Sequence, residues 1–308
     1  MTHSSTALRG TGTVPRELVH RTLSSNVLLT GWWRTGDAAF TVAARWPAGD
    51  RFFAPVAGRH SPVMLVETVR QASILLAHAE YDVPLEHHFV MWDVSMTSHP
   101  DHLLATGEDT EVELDVTFTD LLMRGRKLAG MHAHLVLRIG GTVVATCGGR
   151  LGITAPAVYR RLRGERINRQ LSFAAAPLDP KLVDRSDPQD VVLAAGGGDG
   201  AWQLRADGAN RSLFDHPGDH FPGMVLLEAV CQAARAETGP GFYPLGLEVL
   251  FQQYVEFDAP CVLEVRRLPA DAQGNTAVHV VGRQDEKSVF MAMVDGRMLG
   301  AAESPSGA

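Results

Sequence analysis

Two stretches of the chain are apolar around most of a helix's circumference. From Val63 to His78, apolar residues recur at 65, 69, 72 and 76 and few polar residues fill the positions between, which predicts a buried core helix. The second stretch lies within "LFDHPGDHFPGMVLLEAVCQAAR" (Leu213 to Arg235). Two histidines and two Pro-Gly steps precede it, and one carboxylate, Glu228, falls inside its apolar run. After each helix the period changes to two. "TEVELDVTF" alternates, "MHAHLVLRIGGTVVATCGGRLGI" predicts two strands around a turn at Gly140-Gly141, and "CVLEVRRL", "AVHVVGRQ" and "VFMAMVDGRML" predict three more. A strand also precedes each helix, in "FTVAARW" and "WQLRAD". One long buried helix followed by an antiparallel run of strands predicts an α+β fold in which the sheet wraps the helix.

The pattern occurs twice. Phe52 to Ser73 aligns without a gap on Leu213 to Ala234: Phe53 and Phe214 each lie fourteen residues before a Glu, and Leu65, Glu67, Val69, Gln71 and Ala72 fall on Leu226, Glu228, Val230, Gln232 and Ala233. A Pro-Leu step entering an apolar stretch follows each segment. The chain therefore reads as one fold written twice. The expected organisation is a tail over 1–16, a first domain over 17–155, a linker region over 156–190, a second domain over 191–300 and a tail over 301–308.

A length of 308 residues accommodates two such domains, each with its own core. The net charge of −7 argues against a protein that holds nucleic acid by its phosphates. Three scattered cysteines, Cys147, Cys231 and Cys261, give neither a disulfide framework nor a metal-ligand spacing, so they read as thiols in a reducing compartment. No stretch has the make-up of a signal peptide or a bilayer span, and a cytoplasmic protein without membrane partners is expected. His87-His88 and the pair His132 and His134 lack further ligands at a recognisable spacing, so no metal is expected. "AAGGGDG" near Gly197 lacks the Lys and Ser or Thr of a phosphate loop and reads as a hairpin turn, while "GWW" near Trp32 reads as a strand end or core anchor.

The segment "HPGDHFPGMVLLEAVCQA" resembles the signature of the hotdog-fold hydroxyacyl-carrier-protein dehydratases. A longer resemblance is to the A-factor biosynthesis (AfsA-type) hotdog family. "VHRTLSSNVLLTGWWRTGDAAFTVAARWP", "HSPVMLVETVRQASILLAHAEYDVPLEHHFVMWD" and "DHPGDHFPGMVLLEA" are similar to that family's segments, in its order. The resemblance implies a tandem hotdog. It also implies an acyltransferase that joins a β-ketoacyl group, carried on the phosphopantetheine arm of acyl carrier protein, to the hydroxyl of dihydroxyacetone phosphate, with no further cofactor. That reaction opens the synthesis of γ-butyrolactone-type, furan or butenolide signalling molecules. Whether the chain dimerises is left open.

The residues can be weighed against that chemistry. A helix starting at Pro222-Gly223-Met224 presents unpaired N–H groups and its positive dipole end, and Gly223 lets a carbonyl approach, which suits an oxyanion. His216, His220, Glu67 and Glu228 are the candidate acids and bases. In the dehydratase-like arrangement the His loop of one half faces the Glu of the other. This pairs His216 with Glu67, whereas Pro55 stands where the reciprocal pair would need His. Glu67 is the first choice, with burial expected to raise its pKa, and His216 the second. His220, over Arg59, could instead orient the loop. Arg70, one turn beyond Glu67, could hold the acceptor's phosphate. The family tends to repeat an Arg three residues after the second Glu, where this chain has Cys231, so the task could pass to Arg70, Arg211 or Arg235. Each residue has a plainer reading. The glutamates could be ion-paired structural residues, the histidines could bond to the loop backbone, and Arg70 could be only Glu67's intrahelical partner. A dehydratase, a thioesterase or a non-catalytic acyl-binding regulatory protein remain as alternatives on the same fold.

Overall fold

The computed structural model describes residues 12–171, 175–198 and 200–300; most of the expected N-terminal tail and all of the C-terminal one lie outside them. The chain divides into two compact units, Met1–Arg51 with Met64–Leu162, and Phe52–Val63 with Arg163–Ala308.

The first unit runs β1 (Leu29–Arg34), β2 (Ala39–Trp46), α1 (Pro62–Tyr81), β3 (His88–Met91), β4 (Asp93–Ser98), β5 (Thr110–Arg124), β6 (Lys127–Ile139), β7 (Thr142–Thr154) and most of α2 (Pro156–Arg163). Its strands pair antiparallel in the order β1-β2-β5-β6-β7-β4, with β3 also on β7. Alternation is strict in β5: Val112, Leu114, Val116 and Phe118 are buried while Glu111, Glu113, Asp115 and Thr117 are exposed. The turn between β6 and β7 falls at Gly140 and Gly141, both at positive φ, the backbone that a two-residue hairpin of matching twist needs. Residues 63–69 and 71–78 of α1 are buried, as its apolar circumference predicts. The Trp46 indole donates to Thr68 Oγ1 and the Trp32 indole to Glu80, tying β2 and β1 to the helix.

The second unit contains β8 (Leu193–Ala195), β9 (Ala201–Leu204), α3 (Gly223–Thr238), β10 (Phe242–Phe251), β11 (Val262–Arg267), β12 (Thr276–Gln284) and β13 (Lys287–Met298), paired antiparallel as β10-β13-β12-β11-β9-β8. The glycine-rich stretch joins β8 to β9, as a hairpin turn should, with residue 199 outside the described set. Every residue of α3 from Met224 to Arg235 is buried. The region expected as linker is structured in part: it holds α2 and a 3₁₀ turn over Pro180–Val183, and its residues Arg163, Arg185 and Asp190 are buried.

One glutamine per helix pins the chain that leads into each sheet. Gln71 accepts from Leu28 N and donates to Asn26 O, and Gln232 accepts from Val192 N and donates to Asp190 O, all at 2.8–2.9 Å. The amide substitutes for a neighbouring strand's backbone at a place where the segment lies against a helix. Gln232→Leu keeps the volume but strands a buried N–H and C=O, each costing about 1–3 kcal/mol. We expect a lower denaturant midpoint with unchanged m-value, and a full-stability Gln232→Leu protein would contradict this account of the contact.

Candidate active site

Each helix glutamate is fully buried, and each meets an arginine from the segment upstream of its own sheet. In the first unit a 3₁₀ turn (Arg16–Val19) ends in His20, which adopts the left-handed conformation (φ 53°), and the next residue, Arg21, donates from Nε and Nη2 to Glu67 Oε1 at 3.1 and 2.5 Å. The second unit repeats the device. The turn over Pro180–Val183 ends in left-handed Asp184 (φ 53°), and Arg185 donates to Glu228 Oε1 at 2.9 and 2.5 Å. Gln71 and Gln232 each add a 2.6 Å bond to the same oxygen.

The two carboxylates differ in what else they meet. Arg70 donates to both oxygens of Glu67, at 2.8 Å to Oε2 and 2.9 Å to Oε1, so both carboxylate oxygens are engaged and two guanidinium groups face one negative charge. Burial alone would raise the Glu67 pKa, but Arg21, Arg70 and the hydrogen bonds from Arg70 and Gln71 outweigh it and hold the group at about 2. The expected upward shift is therefore reversed, because the sequence reading supplied the apolar helix and not Arg21. In the second unit Cys231 stands where Arg70 would, and Glu228 Oε2 is buried without a hydrogen-bond partner among the described residues. Arg235, one turn further along α3, is also buried.

The loop of residues 52–63 groups with α3 in the second unit, although the sequence reading had set aside its pairing with Glu228. Arg185 links them, donating to Phe52 O at 2.8 Å and lying over the Phe52 ring while holding Glu228. Tyr243 on β10 donates to His60 O at 2.8 Å from the other side of the loop.

The histidine loop of the second unit rests on a separate ionic knot. Buried Arg163 donates to Asp219 Oδ2 (2.7 Å) and to both oxygens of Glu256 (2.8 and 2.6 Å), with its guanidinium over the Tyr254 ring. The other Asp219 oxygen meets His220 Nδ1 at 2.6 Å, which fixes the imidazole's orientation. His216 is exposed, with Nδ1 against Pro217 O at 3.1 Å, and Arg211 is exposed as well. At the start of α3, Val225 N and Leu226 N both turn to Pro222 O, leaving the amides of Gly223 and Met224 as the leading donors of the helix.

The first unit contains cavities. A cavity of about 20 Å³, one water's worth, separates α1 from the sheet and is lined by Val66, Val69, Met91, Val94 and Leu151 together with Arg70. A larger cleft of about 480 Å³ lies over the polar residues of β4 to β7, including Thr117, His132 and His134, whose rings are 4.0 Å apart. No candidate residue lines that cleft.

The chain matches the A-factor biosynthesis hotdog domain (AfsA) twice, over residues 3–154 and 168–300. It belongs to the A-factor biosynthesis hotdog family. Relatives in the family include the 2-oxo-3-(phosphooxy)propyl 3-oxoalkanoate synthase of Streptomyces virginiae, 43% identical over 95% of this chain and all of the relative. The protein of that name in Streptomyces coelicolor is 40% identical over 92% of this chain and 91% of its own. The fold is shared more widely. A Lactobacillus plantarum structure described as an oleoyl thioesterase superposes with a TM-score of 0.55 at 10% identity, over 86% of this chain and 98% of that one. The bifunctional dehydratase-cyclase domain of ambruticin biosynthesis does so at 0.50 and 18%, over 90% and 97%.

Sequence reasoning missed Arg21, Arg185, Arg163 and Asp219. A signal for the first two was present: "ELVHRTLSSNVLL" (17–29) and "KLVDRSDPQDVVL" (181–193) align without a gap and superimpose the two arginines.

The Glu67 clamp sets an acid limb to stability. A folded-state pKa near 2 against an ordinary value of 4.5 means that its stabilisation is complete above about pH 4.5 and lost as the pH falls toward 2. Unfolding free energies measured from pH 6 to pH 2 should fall less steeply in Glu67→Gln than in the parent chain. Parallel curves would show that the clamp does not set this limb.

Proposed function

We propose that the chain transfers a β-ketoacyl group from a thioester to the hydroxyl of dihydroxyacetone phosphate, giving a 2-oxo-3-(phosphooxy)propyl 3-oxoalkanoate. The observation that carries this reading is the match to synthases of that product across nearly the whole length of both chains. In the reaction the acceptor's hydroxyl oxygen bonds to the thioester carbon, the C–S bond breaks, and the hydroxyl proton passes by way of a base to the departing thiolate. The donor is proposed to arrive on acyl carrier protein, whose pantetheine arm makes a resident cofactor unnecessary.

Among the four candidate acids and bases, Glu228 fits the base. Arg185 and Gln232 fix one of its oxygens while the other, buried, has no partner and can accept a hydroxyl's hydrogen. Glu67 has both oxygens engaged, and a carboxylate held near pKa 2 returns a proton poorly at neutral pH. We assign Glu67 and Arg70 to holding the first unit's helix against its sheet. The amides of Gly223 and Met224 are proposed to receive the developing oxyanion, in the same helix one turn and a half before Glu228. His220, braced by Asp219, and His216, on the exposed loop, are proposed to meet the thioester side.

The test is mass spectrometry of a β-ketoacyl thioester incubated with purified protein, with and without dihydroxyacetone phosphate. We expect an ester that requires the phosphate acceptor, and a fall in kcat of about 10²-fold or more in Glu228→Gln. Free acid released equally without acceptor would replace the reading with a thioesterase. A dehydrated product would replace it with a dehydratase, and an unaltered thioester would leave a binding protein.

A further inference from the structure

The second unit buries guanidinium donors that meet no hydrogen-bond acceptor among the described residues. Arg235 is 1% exposed, yet among the described residues its Nε and Nη1 have no hydrogen-bond partner, and its carboxylate neighbour Asp184 stands 3.6 Å from Nε while accepting from Gly241 N. Arg59, in the loop of residues 52–63, has a buried Nε without a hydrogen-bond partner among the described residues; its Nη1 reaches backbone, Ala57 O at 2.8 Å and Gly300 O at 3.4 Å. Both guanidinium groups lie near enough to the Tyr243 phenol to favour its ionised form against the burial that pushes it up. Tyr243 in turn pairs across β10 and β13 with Arg297, whose Nε is buried and unpartnered too, and the Ser61 hydroxyl next to His60 shares that state. Directly paired residues on adjacent strands project from the same face. Arg235, Arg59 and Arg297 are thus brought toward Tyr243, and Ser61 adjoins the His60 carbonyl that its phenol meets. Buried guanidinium donors left unpaired are costly, and an anion is the chemistry that removes the cost.

The comparison within the chain sharpens the point. In the first unit the helix arginine sits three residues after Glu67 and turns onto it. In the second it sits seven residues after Glu228, where the first unit has Ile74, and no bond joins it to the carboxylate. The cation lies one helical turn further along, away from the helix's own Glu.

We propose that Arg235 and Arg59, with the Ser61 hydroxyl, form the seat for the phosphate of the acceptor, about two turns along α3 from the Glu228 oxygen that takes the hydroxyl proton. The inference rests on the acyl-transfer reading for the identity of its ligand, a small phosphate monoester. Two guanidinium groups match a dianion, and their N–H edges suit phosphate oxygens. Separation along the helix between Glu228 and Arg235 then places the two ends of a three-carbon acceptor, hydroxyl and phosphate, at two different groups.

The experiment uses the full chain and a phosphate-free β-ketoacyl N-acetylcysteamine thioester as donor, so that the acceptor supplies the only phosphate. Arg235→Lys, Arg235→Gln and Arg59→Gln should each raise the KM for dihydroxyacetone phosphate by about 10- to 100-fold, the loss of a charge-assisted bond, while the donor's KM changes less than twofold. In parallel, calorimetric titration with inorganic phosphate should show binding to the parent chain that is weakened in all three variants. Arg59→Gln and Arg235→Lys keep the test open if Arg235→Gln fails to fold. An unchanged acceptor KM, or phosphate binding equal in the parent and variants, would overturn the seat even if the ester forms. If no ester forms, the calorimetric series still decides the seat and the failure belongs to the acyl-transfer reading.

Discussion

A carboxylate inside an apolar helix is the constraint around which each unit is arranged. Neither Glu67 nor Glu228 reaches water, so each must be met by a cation and by hydrogen bonds that the helix cannot supply from its own backbone. The answer comes from upstream, where a left-handed residue turns the chain so that the following arginine enters the core. Glutamine, four residues after each Glu, then fastens the same upstream segment by two backbone bonds. Charge compensation and chain path are thus one feature. The arginine cannot be delivered without fixing where the first strand of the sheet begins.

From this shared frame the two helices diverge in where they place their cation. Arg70 completes the neutralisation of Glu67 and leaves the first helix with a closed, doubly braced carboxylate. Cys231 at the equivalent place removes that brace, frees one oxygen of Glu228, and coincides with a cation displaced by one turn. One substitution is enough to separate a buried carboxylate from its second partner.

The periodicities made the architecture legible. Both long helices, the β6–β7 hairpin with its two glycines and the strands of the second half lie where the apolar spacing puts them, because in these segments burial and local pattern agree. The site was legible only in part. Glu67 and Glu228 stand out because they break an apolar pattern, whereas Arg21 and Arg185 sit in polar, proline- or serine-bearing segments where a charged residue is unremarkable. Their partners are 46 and 43 residues away. Contacts of that range leave no local signature; only the second, weaker repeat carries them. The sign of the Glu67 shift was misread for the same reason, since desolvation is visible from the helix alone and the opposing charges are not. The grouping of residues 52–63 with α3 has no periodic cause and emerges only from the folded chain.

Cys231 has one more consequence. In the proposed reaction a thiol close to the thioester would be a chemical hazard, because thiol exchange would move the acyl chain onto the protein and stop turnover. Burial pushes the Cys231 thiol up to about 12, the pull of Arg235 being too small to bring it back, and the sulfur stays protonated and a poor nucleophile. The substitution that removes the second brace from Glu228 thereby adds no reactive thiolate, and the second unit keeps a small polarisable filler in its core.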